Sequence, residues 1–432
     1  MTNKNLIEKN KITISLTLLT LFVCSICYLI LTYPKKSSLP QGDNERNSEV
    51  SSNVNNYQKS SLQDSPATKA GKLLSNGRCS GEGSVILSVS PMKPEDFGIL
   101  LPYGLMVGGH VTPIDHQYFT PIERNSPRDA YEVRAMADGT IVDIGPRART
   151  NPDDPNDKFT EYRIVFSHTC TFLTYYDLVT ELSPELLAEY NKTKNADGYD
   201  NKISFPVKAG QVIGKIGGQT LDFAVWNTET PLTGFINNSS YDAEQWKIYT
   251  SDPYLYLTDE LKQLLTERNP RTAEPIAGKI DYDQEGKLIG NWFEKGTGGY
   301  NGGQKSEYWT THLAVVPNAI DPSAYVISFG DYDGTATQFT SGDDNFDPKK
   351  VTVKSGLEKV DLVGISYLTS EGKVWDQESP SKNVKLVRST IVQGNCVLFK
   401  LLAESELKME TFPGTSCASV TGFTNSAKLY ER

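Results

Sequence analysis

No charged residue occurs between Ile12 and Pro34 of this 432-residue chain, in the run ITISLTLLTLFVCSICYLILTYP. About 20 consecutive apolar residues span the hydrocarbon core of a bilayer. The run is followed by a polar stretch and not by partners that would bury it, so it is predicted to be an N-terminal transmembrane helix. Lys4, Lys9 and Lys11 precede it and Lys35 and Lys36 follow it, so lysine bias orients the span only weakly. A cleaved signal peptide is the competing reading, but the run is long for one and no A-x-A-like site follows. The chain is therefore expected to have a cytosolic tail (residues 1–11), a single membrane span (12–34) and extracytoplasmic main domains.

Cysteine usage agrees with export. Cys24 and Cys27 lie within the apolar run, which leaves Cys79, Cys170, Cys396 and Cys417. An even number of cysteines in an exported chain predicts two disulfides. Four cysteines allow three pairings, and the short-range pair Cys396–Cys417 leaves Cys79–Cys170. With 43 basic and 53 acidic residues the formal charge is -10. That balance, with no basic patch, does not suit a phosphate backbone, and no nucleic-acid partner is expected. Residues 35–75 are dominated by Ser, Asn, Gln, Asp and Lys, and are predicted to be a disordered linker.

From Ser80 onward the pattern is mainly β. SVILSVS, EYRIVFSH, TFLTYYDLV, SFPVKAG, QVIGKIG and LDFAVWN read as strands, and YEVRAMADGTIVDIG as two strands around Asp138-Gly139. SPELLAEY reads as a helix with Ser183 as N-cap and Pro184 in its first turn. These elements define a first β domain, residues 76–230. A connector, 231–274, carries a second helix, TDELKQLLTER, with Leu257, Leu261 and Leu264 or Leu265 as its apolar stripe. Residues 275–432 show eight further strand segments at fairly even spacing, which predicts a second domain, a β-barrel or sandwich. Its Gly290-Asn291-Trp292 resembles the Gly-x-Trp of the lipocalin first strand, with Trp292 read as a core aromatic. Small-molecule binding through this domain is one function class to weigh.

Three of the chain's four histidines, His110, His116 and His168, fall in the first domain. GGHVTPIDHQYF brings His110, Asp115 and His116 together, and imidazole and carboxylate are ordinary zinc ligands. The first domain resembles the lysostaphin-type, or LytM-like, metallopeptidases that cut peptidoglycan cross-bridges. GGHVTPIDHQYF stands where that family has His-x-Gly-Ile-Asp. VRAMADGTIVDIG resembles its V-x-A-x-x-x-G-x-V strand pair, and FPVKAGQVIGKIGG its V-x-x-G-x-x-I-G-x-x-G hairpin. RIVFSH with TFLTYYDL resembles the I-x-H and T-x-Y-x-H-L stretch, and TLDFAVWN stands where the family has His-Leu-His-Phe-Glu. The match runs from about Gly104 to Asn227.

The resemblance implies a zinc site, and its residues carry over incompletely. Asp115 matches the ligand Asp. His110 precedes it by five positions where the family has four, and Pro113 replaces the family's glycine. Asp177 replaces an assisting His, Thr220 and Asp222 replace the two His of His-x-His, and His168 matches a non-catalytic position. The candidate metal set is therefore His110, Asp115 and Asp222, with Asp177 as the candidate base and His116, His168 and Thr220 nearby. Such an oxygen-rich set is less selective for zinc, and an ordinary Asp pKa near 3.9 suits neutral-pH base catalysis poorly. A degenerate, non-catalytic domain that binds a cell-envelope glycan or protein is the favoured expectation. A zinc-dependent peptidoglycan endopeptidase is the rival.

Overall fold

The computed structural model describes residues 64–150, 156, 158–305, 307–389 and 394–432. The tail, the apolar run and most of the linker lie outside them. Among the described residues no helix is long and apolar enough to cross a membrane.

The end of the predicted linker is ordered, which corrects the boundary at residue 75. Pro66–Leu74 is a helix whose N-cap, Ser65, accepts from Thr68 N at 3.1 Å. It docks on the first domain through Gly71, where a Cβ would stand 1.6 Å from the Cys170 carbonyl oxygen. The Cys79–Cys170 disulfide clamps the chain just beyond this contact, so backbone proximity and a covalent bond hold a segment whose composition alone suggests disorder.

The first unit is built from two sheets. The larger contains β1 (Phe97–Leu101), β2 (Gln117–Pro121), β10 (Leu221–Asn227), β6 (Phe172–Val179), β5 (Lys158–Ser167), β4 (Gly139–Thr150) and β8 (Phe205–Val207) in that spatial order, with β11 (Thr250–Ser251) beside β10. The smaller runs β3 (Tyr131–Arg134), β9 (Val212–Ile216), β7 (Glu181–Leu182). The two strands flanking Asp138-Gly139 form, but in different sheets: β3 pairs with β9, and β4 with β5 and β8. SVILSVS is not a strand; Leu87 alone makes a bridge, to Leu257. β1 and β2 have no signal in the sequence reading, because both are almost wholly buried and do not alternate. The helices Pro184–Thr193 and Asp259–Arg268 form, capped by Ser183 and Thr258, but Leu257, expected in the second helix's apolar stripe, lies before its cap and bridges Leu87 instead.

The second unit is a closed antiparallel barrel. β12 (Gly290–Glu294), β13 (His312–Pro317), β14 (Tyr325–Tyr332), β15 (Thr335–Ser341), β16 (Glu358–Leu368), β18 (Asn395–Ala403), β19 (Glu406–Phe412) and β20 (Lys428–Glu431) follow one another around it, and β20 returns to β12. β17 (Lys385–Ser389) hangs on β16 outside the ring. The predicted strands are present, and β19 is the addition. A barrel of about eight strands is just wide enough for side chains to fill. Here Trp292, Leu313, Phe329, Phe399, Leu407 and others do so. Trp292 is a core aromatic: its indole donates to Leu288 O at 2.8 Å, and the Arg432 guanidinium lies 4.0 Å from its ring.

The two units share a buried seam. Phe293 and Tyr300 of the second belong to the apolar core of the first. The stretch Gly299–Gln304 presses on the 3-10 stretch Asn238–Tyr249, so closely that a Cβ on Gly299 would stand 2.3 Å from Ser240 O. Gln338 donates to Gly108 O and accepts from Gly108 N, and Val111 packs on Trp309.

Both predicted disulfides are present, Cys79–Cys170 and Cys396–Cys417. They close segments of 91 and 21 residues. Chain entropy assigns them about 4–5 and about 3 kcal/mol respectively as upper values. Replacing Cys79 and Cys170 together by Ala is therefore expected to lower the melting temperature more than replacing Cys396 and Cys417. Calorimetry of the two double variants measures the order.

Candidate functional site

β10 lies between β2 and β6, and its register sets Asp222 opposite Tyr118 on one side and Asp177 on the other. Directly paired positions project to the same face. Tyr118, Asp222 and Asp177 therefore form a row across the sheet. Asp115 and His116 stand just before β2, and the stretch Asn238–Tyr249 lays Trp246 and Lys247 over them. Tyr300, Tyr308 and His312 of the second unit close the top.

Asp115, the expected metal-ligand carboxylate, is already engaged. Lys247 Nζ lies 2.8 Å from its Oδ1, and the Trp246 indole donates to its Oδ2 at 2.9 Å. Lys247 and Asp115 are each 3% exposed. Glu244 Oε2 is 3.1 Å from the same ammonium, which also lies 4.7 Å from the Tyr300 ring centre. Burial would raise the Asp115 carboxyl, but Lys247 and His116 together outweigh it, by charge and hydrogen bonding, and hold that carboxyl far below its usual range. Burial likewise works against the Lys247 ammonium, and the Asp115 and Glu244 carboxylates overcome it.

His116 bridges the remaining carboxylates. Its Nδ1 is 3.5 Å from Asp115 Oδ1 and 2.8 Å from the Tyr175 hydroxyl, and its Nε2 is 3.3 Å from Asp222 Oδ2. Burial beside Asp177 pushes the Asp222 carboxyl up to about 7, with His116 and Arg147 opposing. Asp177 is held the other way. Arg147 grips both of its oxygens, with Nε at 2.8 and 3.0 Å and Nη2 closing the fork, and Leu178 N donates to Oδ1. Arg147 and Arg163 overcome burial and lower its pKa. A carboxylate so stabilised in its ionised form is a weak base. His110 packs edge-on to His116 with ring centres 6.0 Å apart, and burial with the charges of His116 and Lys247 lowers it to about 3, so it is neutral. Thr220 donates to Asp222 Oδ1 at 3.4 Å.

The fold thus gathers His110, Asp115, His116, Asp177, Thr220 and Asp222 into one region and leaves His168 out. His168 bonds the Asp138 carbonyl oxygen and the Thr174 hydroxyl, at 2.7 and 2.9 Å, and braces the Asp138-Gly139 turn. The arrangement does not fit a zinc ion. A dication at Asp115 would stand beside an ammonium at hydrogen-bond distance from the same oxygen, a repulsion that no remaining ligand offsets. Sequence reasoning missed Lys247, Trp246, Glu244, Arg147 and Arg163. The three from the connector lie more than 100 positions from Asp115 in the chain, and only the chain's return over the sheet brings them there.

No family model matches this chain, and no curated protein does. Among solved structures it aligns with the NMR solution structure of lysostaphin at 11% sequence identity and a TM-score of 0.19, covering 76% of this chain and 85% of that one. An alignment at that score carries no argument, so the site stands on its own side chains.

Two outcomes follow from this electrostatic layout. The folded state holds a proton on Asp222 more tightly than the unfolded chain does, so its contribution to stability is full below about pH 4 and is lost as the pH rises through about 7. Asp222→Asn is expected to flatten this slope, which amounts to as much as about 4 kcal/mol, in urea denaturation across that range. Lys247→Met strands two buried carboxylates, Asp115 and Glu244, and is expected to cost about 3–5 kcal/mol, recovered in part when Asp115→Leu is added. A double-variant cycle by the same denaturation measures the recovery.

Proposed function

We propose that this chain is a single-pass, membrane-anchored extracytoplasmic protein whose first unit is a degenerate LytM-like domain. Its role is to bind or scaffold at the cell envelope, with a glycan or a protein of the envelope as partner. The observation that carries the non-catalytic reading is Lys247 seated on Asp115. Zinc hydrolysis requires a ligand set with an open position for water and a group to move protons. Here an ammonium takes the place of the metal charge, an arginine fork ties down Asp177, and aromatic side chains of the second unit cover the layer.

The order of motifs between Gly104 and Asn227 supports the LytM-like assignment, and the uncharged run from Ile12 to Pro34 supports the anchor. The full-length protein is expected to fractionate with membranes. Its ectodomain is expected to co-sediment with purified peptidoglycan without releasing fragments, with or without added zinc. Chelator-sensitive release that disappears in both Asp115→Ala and His110→Ala would establish the zinc endopeptidase instead. Failure to sediment, with no release, would move the partner from glycan to protein.

A further inference from the structure

The buried trio Lys247, Asp115 and Glu244 has a chemistry that a scaffold does not use. The lysine nitrogen is 2.8 Å from one oxygen of the Asp115 carboxyl, one bond from the carbon of that group. The two side chains come from separate segments, the loop before β2 and the connector, and the second unit closes over both. Their contact is therefore built by the fold and shielded from water. The other carboxyl oxygen, Oδ2, accepts the Trp246 indole N–H at 2.9 Å, a donor placed where negative charge develops when the carbon is attacked. Glu244, with 13% of its side chain exposed, stands 3.1 Å from the same nitrogen, within reach to relay protons.

We propose that Lys247 and Asp115 condense into an intramolecular amide cross-link, with Glu244 as the proton relay. The ammonium first passes a proton to Asp115 Oδ1 along their hydrogen bond, leaving a neutral amine and a carboxylic acid. The nitrogen lone pair forms a bond to Cγ, and the carbonyl electron pair moves onto Oδ2 against the Trp246 N–H. The Glu244 carboxylate takes a proton from the new nitrogen centre and delivers it to the Oδ1 hydroxyl. The Cγ–Oδ1 bond breaks, one water leaves, the carbonyl re-forms at Oδ2 and Glu244 is regenerated. No oxidant or co-reactant is needed. In water an ammonium and a carboxylate do not condense at neutral pH because both are well solvated. Here burial removes that solvation, and a neutral amide carries none of the desolvation penalty of the ion pair it replaces, although Glu244 then loses the Lys247 charge. Fixed contact supplies an effective concentration that reaches about 10⁵–10⁸ M in well-oriented intramolecular reactions.

The test is the intact mass of the purified full-length protein, reduced and denatured, followed by proteolytic mapping. The expected chain is one water lighter than its sequence, with a branched peptide joining the segment of Asp115 to that of Lys247. Lys247→Arg keeps the charge and is expected to show the full mass. Glu244→Gln is expected to accumulate uncondensed chain. A wild-type protein of full mass overturns the proposal without recourse to any variant. So does a lost water that maps to an Asp-Gly step such as Asp138-Gly139, because a cyclic imide there leaves the two peptides separate. Complete condensation of Glu244→Gln overturns the relay.

Discussion

The contact between the Lys247 ammonium and the Asp115 carboxylate lets two β units share one buried face. That face carries four carboxyl groups, of Asp115, Asp177, Asp222 and Glu244, under a lid of aromatic rings. Carboxylates taken out of water without partners would cost several kcal/mol each. The structure matches them with fixed cations: Lys247 on Asp115 and Glu244, and Arg147 on Asp177. Arg163, stacked 4.4 Å from the Trp246 ring centre, adds a further positive charge to the layer. Asp222, which has no such cation, is driven toward its neutral form, and burial raises Glu244 in the same direction against the pull of Lys247. With the charges matched, Phe293, Tyr300, Tyr308 and His312 lie on the layer as apolar surface.

The same matching explains why the region resembles a metal site in its residue types and differs from one in its geometry. A metal centre needs carboxylates and imidazoles converging on a vacant point. Here the carboxylates converge on side-chain cations, and His116 sits between Asp115 and Asp222 at ion-pair distance from each, its Nδ1 hydrogen-bonded to the Tyr175 hydroxyl. His110, neutral and edge-on to His116, completes the packing.

Much of the architecture was legible in the sequence, because period-two alternation with glycine and asparagine turns marks half-buried strands. The helix cap Ser183 and both cysteine pairs were legible for equally local reasons. β1, β2, β7, β11 and β19 were not: the first two lack alternation, β7 and β11 are two residues each, and β19 lies in a short polar-rich stretch, ELKMETF, between stronger signals. At the site, the residues of GGHVTPIDHQYF and TLDFAVWN were found, since they cluster in the chain. Lys247 was not, because a lysine in a connector looks solvated. In the folded chain it is among the most buried charged groups of the described residues. The strands flanking Asp138-Gly139 show the same limit, since local turn chemistry does not say into which sheet each strand will go.

The barrel adds a constraint of timing. Its ring is completed by the pairing of β12 with β20, and Arg432 locks onto Trp292 and the carbonyls of Gln284, Lys287 and Ile289. A chain made from its first strand toward its last holds the Asp115 loop and the connector long before β20 exists to hold the barrel that covers them. During that interval the acidic face is open to water and ions, and the ammonium of Lys247 has only its local partners to keep it in place. Backing of the layer by a closed barrel thus waits on β20, and an interruption ahead of it would yield a chain with every site and lid residue but no closed ring to hold the lid in place.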